Sequence, residues 1–157
     1  MSMVTVGSLQ RMTAEQLRNI LLTTPKPPIA IIDVRDADHI GGHILGSQHV
    51  PSSSLDYRAP ELVRTLADTP TVVFHCALSQ QRGPGAALRY LRERSRMGYD
   101  KTAADVVAEG GEQAQGAREK PQQQVYVLQG GFVKWQEKYG SDERLTEGYV
   151  KDIWEAF

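Results

Sequence analysis

The fold of this chain is decided by residues 69–84, which read TPTVVFHCALSQQRGP. The apolar run from Val72 to Phe74 is typical of a buried strand, and the Gly83-Pro84 pair fits the first turn of a helix. Between them lies a seven-residue loop that the chain's only cysteine, Cys76, opens and Arg82 closes. The stretch therefore predicts a strand, a tight loop and a helix in direct succession.

The predicted loop has the composition of an anion-binding site. Small or polar residues at Ala77, Ser79 and Gly83 let the backbone curl with its N–H groups inward, and such a nest binds anions. The start of the following helix adds unsatisfied N–H groups and the positive end of the helix dipole. Arg82 supplies a planar fork of donors that matches a tetrahedral oxyanion. In this setting Cys76 is predicted to be a thiolate nucleophile, whereas a lone cysteine is usually a small buried apolar residue.

The sequence His75-Cys76-x5-Arg82 resembles the signature of cysteine-dependent phosphatases. Its extension through Gly83-Pro84 resembles the M-phase inducer class of dual-specificity phosphatases, and arsenate reductases of the rhodanese-like fold share the pattern. The resemblance implies that Cys76 and Arg82 are catalytic. It also implies an oxyanion-binding loop made of Ala77, Leu78, Ser79, Gln80, Gln81 and Arg82.

Two further segments resemble the rhodanese-like superfamily. The first signature is matched by Asp33-x-Arg35 with the glycine- and histidine-containing stretch 42–51, and the C-terminal signature by residues 129–135, which read QGGFVKW. The resemblance implies an α/β, rhodanese-like domain with a central, mostly parallel five-stranded sheet and helices on both faces. One such domain is expected over residues 1–157, with a polar insertion at about residues 98–124 that no signature matches.

Hydrophobic patterning gives an alternation of strands and helices that agrees with this fold. Strands are predicted at residues 3–6, 29–32, 48–51, 72–74 and 125–128. Helices are predicted after an N-cap at Thr13, within 36–46, over about 59–66, from Gly83-Pro84 onward, within 102–110, after 130–131 and over 147–157. Such alternation implies a parallel sheet covered on both faces, whose ligands bind at the carboxyl ends of the strands. Cys76 and Asp33 both follow predicted strands at that edge.

Two residues are predicted to support the loop without reacting. Asp33 is expected to brace a neighbouring loop through hydrogen bonds. His75 is expected to be a hydrogen-bonded neighbour that helps set the environment of the thiol, with its side chain pointing away from that of Cys76. His39 and His43 have no carboxylate or second cysteine at a spacing that would complete a zinc site, so no metal is predicted.

Composition restricts the function classes further. A chain of 157 residues with 40% apolar and 24% charged residues suits one globular domain. A net charge of -1 gives no basic field for nucleic acid, and the apolar runs are far too short to span a bilayer. One cysteine and no visible secretory signal fit a reducing compartment, so a cytoplasmic or nuclear location is expected, without a nucleic-acid or membrane partner.

Four chemistries remain open from the sequence. A phosphatase acting on a phosphorylated protein needs a general acid for the leaving oxygen, and M-phase inducers carry a carboxylate inside the loop where Gln80 and Gln81 stand here. The proton source is therefore open, and an aryl leaving group is favoured over an alkyl one.

The other three chemistries use the same loop differently. An arsenate reductase would accept arsenate as a small oxyanion, and with a single cysteine it would need an external thiol such as glutathione, regenerated by glutaredoxin. No other cofactor is expected. A thiosulfate-type sulfurtransferase is less favoured, because rhodanese loops usually hold six residues and this loop holds seven. A non-catalytic module that binds phosphorylated ligands is disfavoured by the presence of both Cys76 and Arg82.

Overall fold

The computed structural model of the chain describes residues 5–99 and 123–155. Its strands are β1 (Gln10–Met12), β2 (Ala30–Asp33), β3 (His43–Ile44), β4 (Gln48–His49), β5 (Thr71–His75), β6 (Gln124–Leu128) and β7 (Thr146–Glu147). Its α-helices are α1 (Ala14–Leu22), α2 (Leu55–Thr65), α3 (Arg82–Arg96), α4 (Gly131–Tyr139) and α5 (Lys151–Glu155). No helix in these described ranges is long and apolar enough to cross a membrane.

Among the described residues, five strands form one parallel sheet in the order β1-β6-β5-β2-β4. This confirms the predicted α/β fold with a five-stranded parallel sheet. Strand β5 lies in the middle, paired with β6 on one side and β2 on the other. The loop that follows β5 therefore leaves the centre of the sheet at its carboxyl edge. Strands β3 and β7 form a separate antiparallel pair.

Alternation along β5 builds a core on each face of the sheet. Val72 and Phe74 belong to one buried cluster together with residues of α2 and α3, and Val73 belongs to the other together with Leu17 of α1 and Trp135 of α4. Both faces of the central strand are thus covered by helices. This packing holds the start of the loop between two cores.

The N-terminal region differs from the prediction in one element. The capping box is confirmed, since Gln16 N–H donates to Thr13 Oγ1 at 3.1 Å and Thr13 N–H donates to Gln16 Oε1 at 2.9 Å. The strand predicted at 3–6 is wrong where the structure describes it, because residues 6–8 form a 3-10 helix; residues 3 and 4 lie outside the described part. The strand is β1 instead, where pairing with β6 buries Met12.

The helix predicted within residues 36–46 is also wrong. The segment turns back on itself through Gly41 and Gly42, which have φ values of +77° and +116°. The guanidinium of Arg35 donates to the carbonyls of Ile40 and Gly42 at 3.3 and 2.8 Å. These carbonyls are therefore bound by a buried side chain rather than by a helical backbone, and the segment continues through strand β3 into a turn.

The C-terminal helix is shorter than predicted. In the described part of the predicted span, which ends at residue 155, Lys151–Glu155 is helical, and the first residue of the span, Glu147, belongs to strand β7. The Trp154 indole packs against Phe132 with ring centroids 5.5 Å apart and donates to the Gly41 carbonyl at 2.9 Å. The predicted insertion falls mostly on residues 100–122, which lie outside the described part, as does the helix predicted at 102–110. Gln124, at the approximate end of the predicted insertion, is the first residue of β6.

Candidate active site

The loop after β5 wraps its backbone around the sulfur of Cys76. The thiol is buried, with only 3% of the residue exposed. Cys76 Sγ accepts hydrogen bonds from the N–H of Ser79 at 3.2 Å and of Gly83 at 3.3 Å. Ser79 has a φ of +56°, a left-handed conformation that is uncommon for a residue with a side chain. Two backbone donors thus converge on the sulfur, as in a backbone nest.

The start of α3 supplies one of these donors. The helix begins at Arg82, and its N-cap residue, Gln81, makes no side-chain capping bond. The N–H of Gly83, in the first turn, therefore points to the sulfur instead of to a cap. Leu78, Gln80 and Gln81 are exposed at the outer rim of the loop. The loop of residues 76–83, called the cup below, thus surrounds the buried sulfur with backbone N–H groups and carries exposed side chains.

The N-terminus of α4 holds the first two residues of the loop in place. The N–H of Phe132 donates to the Cys76 carbonyl and that of Val133 to the Ala77 carbonyl, both at 2.9 Å. Gly131 precedes them with a φ of +60°, and a Cβ on it would lie only 2.4 Å from the Ala77 oxygen. Sequence reasoning placed Gly131 in a family signature but gave it no role at the site. Its signal was the glycine pair between the last strand of the sheet and the following helix.

The side chain of Arg82, the last residue of the loop, is 34% exposed and pairs with two carboxylates. Its Nη1 and Nη2 donate to Asp38 Oδ1 and Oδ2 at 2.7 and 2.6 Å, and Nη1 approaches Asp36 Oδ2 at 3.4 Å. The hydrogen bonds from Arg82 lower the pKa of Asp38 to about 2, against the opposing effect of its partial burial. A hydrogen bond from Ser52 is the main cause that lowers the pKa of Asp36. Both carboxylates are therefore ionised at neutral pH.

Asp36 and Asp38 are the site residues that sequence reasoning missed. They follow the predicted signature residues Asp33 and Arg35 at the carboxyl end of β2, which pairs directly with β5. The available signal was therefore topological, since the carboxyl ends of neighbouring parallel strands meet at one edge of the sheet.

Asp33 and Arg35 form a buried ion pair behind the loop. Arg35 Nη2 and Nε lie 2.7 and 3.1 Å from Asp33 Oδ2, and both side chains are fully buried. The Arg35 guanidinium also stacks on Phe132, 4.3 Å from the ring centroid. Burial would raise the pKa of Asp33, but the coulombic effect of His75, together with the hydrogen bonds and charge of Arg35, outweighs burial and lowers it. Asp33 thus contacts the arginine that binds the carbonyls of the 40–42 turn.

His75 is fully buried in β5, directly before Cys76. Its Nδ1 lies 3.3 Å from the Cys76 carbonyl, and because a carbonyl only accepts, the proton is on Nδ1. Within the described residues Nε2 has no hydrogen-bond partner, and it lies 3.9 Å from Asp33 Oδ2. Burial lowers the pKa of His75, although the Asp33 charge opposes this effect. His75 is therefore a neutral imidazole at physiological pH.

This burial predicts a pH dependence of stability. Below about pH 6.5 the unfolded chain protonates His75 while the folded chain resists. His75 therefore destabilises the fold as the pH falls from about 6.5 through its lowered folded-state pKa. The free energy of unfolding should fall more steeply in wild type than in His75→Gln, with a difference of at most about 1.4 kcal/mol per pH unit. Urea unfolding from pH 8 to 5 measures both curves, and parallel curves would contradict the prediction.

Of the remaining histidines, His39 and His43 are half-buried within the 36–46 segment, and His49 is exposed. His39 stacks on His49 with centroids 3.8 Å apart, and His43 Nε2 lies 2.8 Å from Glu147 Oε1. In the part of the chain that the structure describes, no three His, Cys, Asp or Glu side chains are grouped so that they could hold a metal ion.

Comparison with known proteins gives a family match and named relatives. Residues 13–138 match the rhodanese-like domain family. The chain is 36% identical over 143 residues to the CDC25-like phosphatase YCH1 of Saccharomyces cerevisiae, a match that covers 84% of this chain and 82% of that protein. It is 43% identical over 82 residues to arsenate reductase 2.2 of Oryza sativa subsp. japonica, which covers 52% of this chain and 63% of that protein.

A solved structure extends the likeness to three dimensions. It is that of Ygr203w, described as a yeast protein tyrosine phosphatase of the rhodanese family. The TM-score is 0.68 at 32% sequence identity, and the match covers 96% of this chain and 99% of that one. The chain is thus similar both to proteins named as phosphatases and to a protein named as an arsenate reductase.

Proposed function

The chain belongs to the rhodanese-like domain family, in its branch of Cdc25-like phosphatases and arsenate reductases, and from this premise we propose that it is a cysteine-dependent protein phosphatase of the tyrosine or dual-specificity type. One observation carries the proposal. The sulfur of Cys76 accepts two backbone N–H groups at the floor of the loop that Arg82 closes. A negatively charged sulfur held under inward-pointing donors suits attack on the central atom of a tetrahedral oxyanion.

The proposed reaction has two steps. The Cys76 thiolate attacks phosphorus in line, so that a phosphorus–sulfur bond forms as the bond to the leaving oxygen breaks. The loop N–H groups and Arg82 stabilise the charge on the equatorial oxygens. Water then attacks the phosphocysteine, releases inorganic phosphate and restores the thiolate.

The state of the nearby carboxylates bears on the leaving group. Asp36 and Asp38 are ionised, because their pKa values are lowered, and an ionised carboxylate cannot donate a proton. Both residues suit proton acceptance better than donation. This supports a substrate whose leaving oxygen needs little help, such as the aryl oxygen of phosphotyrosine.

An arsenate reductase is the second candidate, favoured by the 43% identity to the rice enzyme. Arsenate is tetrahedral and would occupy the same cup, with an arsenic–sulfur bond formed at Cys76 as water leaves. Reduction of arsenate to arsenite takes two electrons. With one cysteine in the chain, external thiols must supply them, and glutathione with glutaredoxin would do so.

Parallel assays of the purified protein separate the candidates. We expect para-nitrophenyl phosphate to be hydrolysed with a kcat/KM at least about tenfold above that for an alkyl phosphate, because the aryl oxygen leaves without a strong acid. Arsenite formation from arsenate with glutathione and glutaredoxin, and thiocyanate formation from thiosulfate and cyanide, are measured beside it. Arsenite formation faster than phosphate ester hydrolysis would instead assign the protein as an arsenate reductase, and faster thiocyanate formation would assign it as a sulfurtransferase. Binding of a phosphotyrosine peptide without turnover in any of the three assays would indicate a non-catalytic module that binds phosphorylated ligands.

A further inference from the structure

Only some of the N–H donors of the Arg82 guanidinium make hydrogen bonds. Of its five N–H bonds, Asp38 takes one on Nη1 and one on Nη2, and the other on Nη1 points towards Asp36. Within the described residues, Nε and the second N–H of Nη2 make no hydrogen bond. The planar covalent geometry of guanidinium places these two N–H bonds parallel on one edge. That edge is the one that binds two oxygens of a tetrahedral anion side by side.

The carboxylates that bind the other N–H groups of Arg82 are themselves held by hydrogen bonds from neighbouring residues. Asp36 accepts from Ser52 Oγ at 2.6 Å and from Ser53 N–H at 3.1 Å. Asp38 Oδ1 accepts from the Asp36 N–H at 2.9 Å. The segment continues directly from β2, which is hydrogen-bonded to β5. The acceptors of Arg82 are therefore rigidly attached to the same sheet that carries Cys76.

From this arrangement we propose that Asp38 is a positioning residue, which grips the Nη1–Nη2 end of Arg82 and so presents its Nε–Nη2 edge to the oxyanion bound above Cys76. The inference rests on the proposed function for the identity of the site, but it concerns oxyanion binding whichever oxyanion is the substrate. Arginine has many rotamers, and without an anchor it loses that freedom only when the anion binds. Asp38 fixes the side chain beforehand. The Asp38 grip and an anion use different edges, so both contacts can be made at once.

The negative charges of Asp36 and Asp38 also allow the opposite effect, in which these carboxylates weaken anion binding by Arg82. Asp36 and Asp38 together carry two negative charges against the single positive charge of Arg82. If the anion needed the edge that Asp38 occupies, the carboxylate would compete with it, and removal of that charge would tighten anion binding. The sign of the change in affinity therefore distinguishes positioning from competition.

The test is an Asp38→Asn variant assayed for oxyanion binding without catalysis. Cys76 is the single cysteine of the chain, so alkylation by iodoacetamide reports on one site, and inorganic phosphate in the cup protects it. We expect the phosphate concentration for half-protection to rise about tenfold, and kcat/KM for para-nitrophenyl phosphate to fall about 10- to 100-fold. An Asp38→Glu variant, which keeps the charge, should recover part of both losses. The melting temperature should stay close to that of wild type, because the pair lies at the surface.

A matched control changes another carboxylate that binds an arginine through both oxygens. Asp142 accepts from Arg144 Nε at 3.0 Å and from Nη2 at 2.8 Å, without contact to the loop. Asp142→Asn should leave phosphate protection unchanged. Unchanged or stronger protection in Asp38→Asn would overturn the inference, whether or not the wild type hydrolyses phosphate esters. Absence of hydrolysis in wild type with weaker protection in Asp38→Asn would overturn only the phosphatase assignment.

Discussion

A Cys76→Ser variant is expected to lose hydrolysis of para-nitrophenyl phosphate by at least about 10⁴-fold, because removal of a covalent nucleophile costs orders of magnitude in kcat. It should nevertheless bind inorganic phosphate at least as tightly as wild type. The N–H groups of Ser79 and Gly83 that now point to the sulfur remain, and the substitution removes a like charge from beneath the anion. Steady-state kinetics measure the first effect, and calorimetric titration with phosphate measures the second.

The combination of these two readouts is more informative than either alone. A variant that lost both turnover and phosphate binding would have lost the cup itself, which a melting curve would reveal as lost stability. Turnover that survived in Cys76→Ser would contradict a phosphocysteine and would require direct attack by water. Retained binding with lost turnover is expected only if the sulfur reacts and the backbone binds.

Local patterns were enough to predict the loop and the strand and helix on either side of it. Cys76 and Arg82 are six positions apart, and the strand before them and the helix after them each have a pattern that is visible within a few residues. The Thr13 capping box was predictable for the same reason, since its partner, Gln16, lies three residues away.

Contacts between distant segments account for what the sequence did not predict. Asp38 and Arg82 are 44 positions apart and meet only because β2 and β5 are parallel neighbours. The predicted helix within 36–46 was wrong because the buried guanidinium of Arg35 binds the backbone there. Strand β1 has only three residues, and its place depends on pairing with β6, far along the chain. Each case involves a partner that no short window of sequence contains.

Both proposed reactions would use the loop in the same way. Backbone N–H groups that bind a tetrahedral oxyanion do not distinguish phosphate from arsenate. The two proposals differ in what would restore Cys76, which is water for a phosphocysteine and an external thiol for an arseno-cysteine. In either proposal the exposed loop residues Leu78, Gln80 and Gln81 would be available to contact the group that brings the oxyanion or the thiol.

The second large effect is expected for Gly131→Ala, which should lower the free energy of unfolding by about 2–5 kcal/mol. An alanine at a φ of +60° costs about 1–2 kcal/mol, and its Cβ would meet the Ala77 and Cys76 carbonyl oxygens at 2.4 and 2.5 Å. Relief of that overlap adds about 1–3 kcal/mol. The shift of the loop that relieves the overlap also displaces Cys76, so kcat/KM should fall about 100-fold. Urea unfolding and steady-state kinetics measure the two effects.

Gly148→Ala is the matched control that separates conformational strain from overlap with the loop. Gly148 has a similar φ, +69°, but no described atom lies within 4 Å of the position of its Cβ. It should therefore show only the backbone cost of about 1–2 kcal/mol and keep its activity. Equal losses of stability and activity in the two variants would mean that the close contact between the N-terminus of α4 and the loop carbonyls does not position Cys76. A loss of activity confined to Gly131→Ala would identify the close approach of this glycine to the loop carbonyls as the feature that sets the place of the sulfur.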